Sequence, residues 1–355
     1  MLILDNIKST LTSSSIFDSQ TIEQELISDQ RRKRIIAATL RAIYAHEPPN
    51  AKLADEVEGI YEQIYASKDH SCLELEERQN SKVDDSSKLL FKTHDGHLIE
   101  SVILRSLRPD KNSVCISTQV GCTEKCHFCA TGTMDFKRNL ERDEILEQVL
   151  HMRRVLKDEG RKLTHVVFMG MGEPLRNYEA VSASLFELTS MKAFRISPQD
   201  ITVSTLGIPN AMLQLAHDHP QVHLALSLHA PDNALRSKIM PINDRHDISE
   251  LLYTLEQIEA IHHYPIMISY ILFDGLNDHI NQAKTLIEKL RGRRIIFNLI
   301  PFNTIPGELV FKKSSQEKFQ PFKNILIQAG FPVTVRKSFG PDIDAACGQL
   351  VTRSN

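Results

Sequence analysis

Cys122, Cys126 and Cys129 lie in the run Gly121-Cys-Thr-Glu-Lys-Cys-His-Phe-Cys129, a C-x3-C-x2-C spacing. Three of the chain's six cysteines thus fall within eight residues, which argues for shared ligation. A closed zinc site takes four ligands, and its cysteines come as paired C-x2-4-C units. An iron–sulfur cubane held by three thiolates instead keeps one iron open to a non-protein ligand. The alternatives are a zinc knuckle completed by His127, or three unrelated thiols. The remaining cysteines differ in setting. Cys115, in an apolar run seven residues before the cluster, reads as a small core residue. Cys347, in Gly340-Pro-Asp-Ile-Asp-Ala-Ala-Cys-Gly-Gln-Leu350, sits in a loop setting suited to a reactive thiol. Cys72 has no such context. In Phe168-Met-Gly-Met-Gly-Glu-Pro174, the glycines allow close backbone approach to a ligand and Glu173 could receive an ammonium. That run is not G-x-G-x-x-G, so a dinucleotide loop is a poor reading.

These residues need elements to hold them. Residues 1–86 read as a mostly helical N-terminal domain, with apolar residues at three- and four-residue steps in Thr21–Ser28, Arg32–Ala45 and Leu53–Ala66. Asn80–Ser87 has linker composition. Residues 87–112 form a hairpin extension, because Leu89–Thr93 and Leu98–Leu104 flank Asp95-Gly96. Over 113–338 short β-branched runs alternate with helical patterns. The strands are expected at Val114–Thr118, His165–Met171, Asp200–Leu206, His223–His229, Ile266–Leu272 and Ile295–Pro301, with a last one at Pro332–Lys337. The helices fall at Arg142–Lys157, Tyr178–Met191, Ile208–Asp218, Ser249–His262, His279–Leu290 and Glu317–Ala329.

Six such units imply an α/β fold with a parallel sheet under helices, an open (β/α)6 barrel or else a doubly wound sheet. Residues 339–355 are a C-terminal segment carrying Cys347. Chemistry in barrel-like folds collects at the C-terminal ends of the strands. Read to their ends, the strands deliver Cys122, Glu173, Ser204, His229 and Asn303 to one rim.

Composition sets limits. The 355 residues allow one large α/β domain and a smaller one. Net charge is −3, so a nucleic-acid partner is not announced by composition. Arg31-Arg-Lys-Arg34, Arg291-Gly-Arg-Arg294 and Lys312-Lys313 could each bind phosphate or simply be solvated. No apolar run is long enough to span a bilayer, and Met1–Ile7, with an early acid, is not a secretory signal. Clustered cysteines fit a reducing cytoplasm.

Taken together, the motifs resemble the RlmN/Cfr family of radical S-adenosylmethionine (SAM) RNA methyltransferases, from about Leu89 to Leu350. The matching stretches are Ile99-Glu-Ser101, Cys115–Cys122, Phe168–Pro174, Ser204-Thr205, Ser227-Leu-His-Ala-Pro231, Met240-Pro-Ile-Asn243, Asn298–Asn303 and Asp342–Leu350. The resemblance implies a radical SAM barrel with a 4Fe-4S cluster on Cys122, Cys126 and Cys129. It implies SAM held by Gly172, Glu173, Ser204, Ser227, Leu228, His229 and Asn303. The implied reaction methylates an adenine ring carbon, C2 ahead of C8, in 23S rRNA first and tRNA second. Cys347 would carry the methyl group as S-methylcysteine and pass it, after hydrogen abstraction by a SAM-derived radical, to the base. Cys115 would then release Cys347 by a transient disulfide, and Glu100 would accept the ring proton. The implied partners are RNA and an electron donor such as flavodoxin or ferredoxin, for a monomer without a membrane.

Overall fold

The computed structural model describes Ala38 and residues 72–191, 193–305 and 311–351. The three N-terminal helical segments and the basic run at 31–34 lie outside the described residues, Ala38 excepted, which is helical and buried. One ten-stranded sheet organises the rest, in the order β1 (Leu73–Asn80), β2 (Ser87–Thr93), β3 (Leu98–Leu104), β4 (Asn112–Ile116), β7 (Leu163–Phe168), β8 (Ile201–Thr205), β9 (His223–Ser227), β10 (Ile266–Leu272), β11 (Ile295–Pro301) and β12 (Val333–Val335). Two short strands, β5 (Gln119–Val120) and β6 (Arg138–Asn139), pair separately across the cysteine loop. The strands from β4 onward are parallel. Each is joined by a helix to the strand beside it, so the order never reverses. A doubly wound sheet reverses at a switch point. The constant direction is that of an incomplete (β/α) barrel, left open because β3 occupies the free edge of β4.

Why these segments take these forms is visible in burial. β10 buries all but one of its seven residues, as a strand covered on both faces must. The helix α2 (Arg142–Asp158) is opened by a capping box between Glu141 and Glu144 and buries Ile145, Leu146, Val149, Leu150, Met152 and Leu156 on one side. After the short α1 (Ala130–Thr133), the other helices are α3 (Tyr178–Thr189), α4 (Pro209–Asp218), α5 (Asn233–Ile239), α6 (Ile248–Glu259), α7 (Ile280–Leu290) and α8 (Gln316–Gln328). Each fully buried aliphatic or aromatic side chain contributes about 1.5–3 kcal/mol, enough to fix the barrel independently of the polar residues at its rim.

Two expectations are corrected. Residues 73–80 form β1 rather than helix or linker. It is an edge strand that buries little besides Leu73, so it carries no alternation to be read, and its pairing with β2 makes it a strand. The last strand is also shorter than Pro332–Lys337. After Val335 the chain leaves the sheet, and Arg336 to Phe339 turn into the cavity described next.

Candidate active site

The rim of the barrel encloses one cavity, lined by Cys122, Cys126 and Cys129, by Gly172 and Glu173, by Ser204, Ser227, His229 and Asn303, and by Cys115 and Cys347. Two expected site residues do not line it. Leu228 is buried behind it, with its N–H donating to the Ser269 carbonyl at 3.1 Å. Glu100 lies on β3, where its Oε2 accepts from the Val351 N–H at 2.8 Å and Oε1 pairs with the Lys88 ammonium at 2.9 Å.

The cysteine loop between β5 and β6 is a compact backbone structure. Cys122 and Cys126 are buried and Cys129 partly so. A Cβ on Gly132 would stand 2.6 Å from the Cys126 carbonyl oxygen, so only glycine permits this fold-back. Burial holds all three thiols above their ordinary range, Cys122 at about 12, and neighbouring thiols push Cys126 and Cys122 further. The sulfurs therefore lie within electrostatic reach of one another around a shared space.

Among the described residues, no three His, Cys, Asp or Glu side chains converge on a point as the ligands of a single ion would. His127, the residue that a zinc knuckle would need, points elsewhere: it is exposed and its Nδ1 lies 2.8 Å from the Lys238 carbonyl. Three thiols that line one cavity are the donor set a cluster takes, in which each thiolate meets a different iron. Glu124, inside the loop, is buried between Arg176 at 2.9 Å and Arg245, which closes on its other oxygen.

The Gly-Glu loop after β7 joins two strand ends. Gly172, at φ +95°, packs where a Cβ would overlap the Gln119 side chain, and Gln119 Oε1 accepts the Glu173 N–H at 3.0 Å. The Glu173 carboxylate accepts from Leu175 N–H at 3.0 Å and from Leu206 N–H, beyond β8, at 2.8 Å. Burial outweighs these bonds and raises the acid to about 7. His229 follows β9 in a left-handed conformation, φ 56°. Its Nδ1 accepts the Ile271 N–H at 3.1 Å, and burial, helped by the nearby Arg236, depresses its pKa to about 3. The ring is therefore neutral and carries its proton on Nε2. Asn277 donates to the His229 carbonyl at 2.8 Å, holding this turn.

Cys347 is held from several directions. Asn303 Nδ2 donates to its carbonyl at 3.2 Å, Ala130 N–H donates to Gly348 at 2.7 Å, and Thr131 Oγ1 donates to the Leu350 carbonyl at 2.6 Å. The C-terminal segment is thus tied directly to the cysteine loop. Cys115 is fully enclosed on β4, and burial pushes its thiol up to about 12, with Arg336 pulling down and Cys347 pushing up. Both are free thiols in this structure, as are the other described cysteines.

Four matches to known proteins bear on this site. Residues 116–287 match the Radical SAM superfamily. The probable dual-specificity RNA methyltransferase RlmN of Thermotoga petrophila is 44% identical over 278 residues, covering 78% of this chain and 79% of its own. The chain belongs to the RlmN family of radical SAM RNA methyltransferases. The dual-specificity RNA methyltransferase RlmN of Desulfotalea psychrophila is also 44% identical, over 76% of this chain and 75% of its own. A crystal structure of a radical SAM methyltransferase from Sphaerobacter thermophilus superposes with a TM-score of 0.82 at 34% identity, over 98% of this chain and 97% of that one. RlmN-family membership brings a 4Fe-4S cluster and SAM as cofactors, and the three-thiol cavity is where the chain can take them.

Several residues that matter to this geometry escaped the sequence. Lys88 stands just before the expected strand Leu89–Thr93, and only the fold brings it to Glu100. Arg236 on α5 is completely buried and donates to five oxygens, on Leu206, Ser227, Leu228, Asn243 and His246. It braces the ends of β8 and β9, and its only sequence signal was its place between two recognised motifs.

Proposed function

We propose that this enzyme methylates a ring carbon of adenosine, C2 ahead of C8, in 23S rRNA and also in tRNA, through S-methylcysteine at Cys347. The observation that carries the reading is that one cavity collects the three cluster thiols together with two further thiols, one from β4 and one from the C-terminal segment. Cys122, Cys126 and Cys129 would hold the cluster; Gly172, Glu173, Ser204, Ser227, His229 and Asn303 would surround SAM, with Leu228 behind them. When bound, the cluster and SAM supply the one-electron cleavage and the methyl group.

The chain's own residues do the rest. Glu173, buried and raised to about 7, gains its charge when an ammonium group enters beside it. Neutral His229 offers an Nε2–H donor without adding charge. Cys347 carries the methyl group, and its carbon becomes bonded to the base before the sulfur leaves. Glu100, which reaches the C-terminal segment through Val351, would take the ring proton as that segment moves; Cys115, as its thiolate, attacks the Cys347 sulfur so that the S–C bond breaks as the S–S bond forms, and the released carbon takes up a proton to become the methyl group. Arg336 and Lys337, beside Phe339 at the cavity, suit an RNA phosphate and base. The setting is a reducing cytoplasm, with the protein a monomer served by a flavodoxin- or ferredoxin-type donor.

The test is nucleoside mass spectrometry after anaerobic reaction with methyl-labelled SAM, on separate pools of unmodified rRNA and tRNA. Labelled 2-methyladenosine is expected in both, in keeping with the dual specificity in the relatives' names. Label in 8-methyladenosine, in one pool only, or retained by Cys347→Ala, would overturn the ring carbon, the substrate range or the intermediate respectively.

A further inference from the structure

Cys126 has two sides. One faces the cavity just described. The other forms part of the floor of a second concavity of about 490 Å³ that opens to the outside, walled by Lys125, His127, Lys238, Ile239, Leu276 and Phe311. Among the described residues, no acidic side chain lines it. Lys125, His127 and Lys238 are exposed, whereas the Ile239 and Phe311 walls are buried.

Its walls belong to the same rigid unit as the cluster loop: His127 N–H donates to the Ile239 carbonyl at 3.1 Å, and Lys125 Nζ donates to the Met134 carbonyl at 2.7 Å. The nearest acid in sequence, Glu124, is turned inward and neutralised by Arg176 and Arg245, so it does not offset these charges. Lys238 closes the last turn of α5, and none of its hydrogen-bonding capacity is needed to hold His127, which uses only its carbonyl. A basic collar around an apolar floor, with a cluster-binding thiol at its base, is a surface for a protein that brings charge to the cluster and not for the reacting RNA base, which must reach the opposite side.

We propose that this concavity is the docking surface for a small acidic protein carrying a one-electron centre, and that electrons enter the cluster past Cys126. The inference rests on the reading that the three thiols hold a redox cluster. The step is a bare electron transfer: the reduced carrier is oxidised by one electron, the cluster is reduced by one, and no bond or proton moves. Opposite charges at such a rim steer encounter, with a rate that falls as salt rises.

The experiment compares wild type with Lys238→Glu, whose side chain lies outside the cluster loop, both reconstituted and matched for iron. The probes are reduced bacterial flavodoxin, an acidic one-electron donor, and dithionite, a small reductant that needs no docking. With dithionite the two proteins should form 5′-deoxyadenosine from SAM at the same rate. With flavodoxin Lys238→Glu should be slower by about threefold or more at subsaturating donor, and the wild-type rate should fall with salt. Binding of fluorescently labelled flavodoxin, which needs no turnover, should weaken in parallel.

Equal flavodoxin binding and equal flavodoxin-driven rates in the two proteins would overturn the docking surface. Weaker RNA binding by Lys238→Glu with unchanged flavodoxin binding would assign the collar to RNA instead. No SAM cleavage by wild type with dithionite would sink the cluster reading itself, while the binding comparison still decides whether an acidic protein docks.

Discussion

The cysteine loop and the C-terminal segment both present thiols to one cavity, yet they are built in opposite ways. The loop is determined by its own backbone: it folds back at Gly132, buries Cys122 and Cys126, and turns Glu124 inward onto two arginines. The segment around Cys347 is determined by others. Residues 340–351 have one short helical turn, between left-handed Gly340 and Asp344. Their fixed points lie on the turn after β1 through Ser81 and Lys82, on the cysteine loop through Ala130 and Thr131, on β3 through Glu100, and beyond β11 through Asn303. A ligand loop must hold a fixed geometry before anything binds. A thiol with the role proposed for Cys347 must be placed accurately and still be able to move. That contrast separates two uses of cysteine which the sequence shows only as six identical letters.

The sharpest way to break the contrast is to remove one thiol from each region. Cys126→Ala should abolish both iron retention and SAM cleavage, because two thiolates leave the cluster without its third ligand. Cys347→Ala should keep its iron and its visible absorption but yield no methylated RNA. Iron analysis and labelled-nucleoside counting on the two variants check this. If Cys347→Ala also loses its iron, the segment is part of the cluster's cage and the division fails.

Next in size is the anchor between the segment and the hairpin. Lys88 and Glu100 form a buried pair, and removing one partner of such a pair costs about 3–5 kcal/mol because the other charge stays buried. Lys88→Met should therefore lower the unfolding midpoint strongly, and the double variant with Glu100→Gln should recover much of that loss. The wild-type Glu100 is raised by burial and partly restored by Lys88. Without the lysine its pKa must climb further. The acid limb of methyl transfer should then move to higher pH in Lys88→Met, whereas a merely structural defect would lower the rate at every pH alike.

The parallel strands were legible because, covered on both faces, they are almost continuously apolar, and the rim residues were legible because they follow those strands directly. What stayed hidden depends on long-range pairing. β1 has too little burial to show a period, and Lys88 gains its meaning only when β2 lies beside β3. The short helix α5 and its buried Arg236 fell between two recognised runs, since seven residues with three buried carry no stable helical pattern. Leu228 followed Ser227 into the expected site by sequence, but alternation past the strand end turns it away from the cavity that Ser227 and His229 line. Glu100, expected as the proton acceptor, does not line the cavity and reaches the segment through the Val351 N–H.

The smallest effect tests how the rim is prepared for its ligand. Glu173 has a folded-state pKa of about 7 against an ordinary 4.5, raised by burial. A carboxyl whose folded value is raised favours the folded chain most when protonated. Its contribution is complete below about pH 4.5, shrinks as pH rises to about 7, and is gone above, a loss of about 3 kcal/mol. His229 works in the other direction: with its folded value near 3 instead of 6.5, it costs stability as pH falls below 6.5. The difference between wild type and Glu173→Gln isolates the acid from such opposing groups. Denaturant midpoints of the cluster-free proteins at pH 5 and pH 8 should show a decline in wild type that Glu173→Gln lacks. Adding SAM to the cluster-loaded wild type should reduce that decline, because an ammonium beside the carboxylate stabilises its charged form. Parallel pH curves for the two proteins would mean that Glu173 is already ionised through its bonds to Leu175 and Leu206, and that the rim is charged before any ligand arrives.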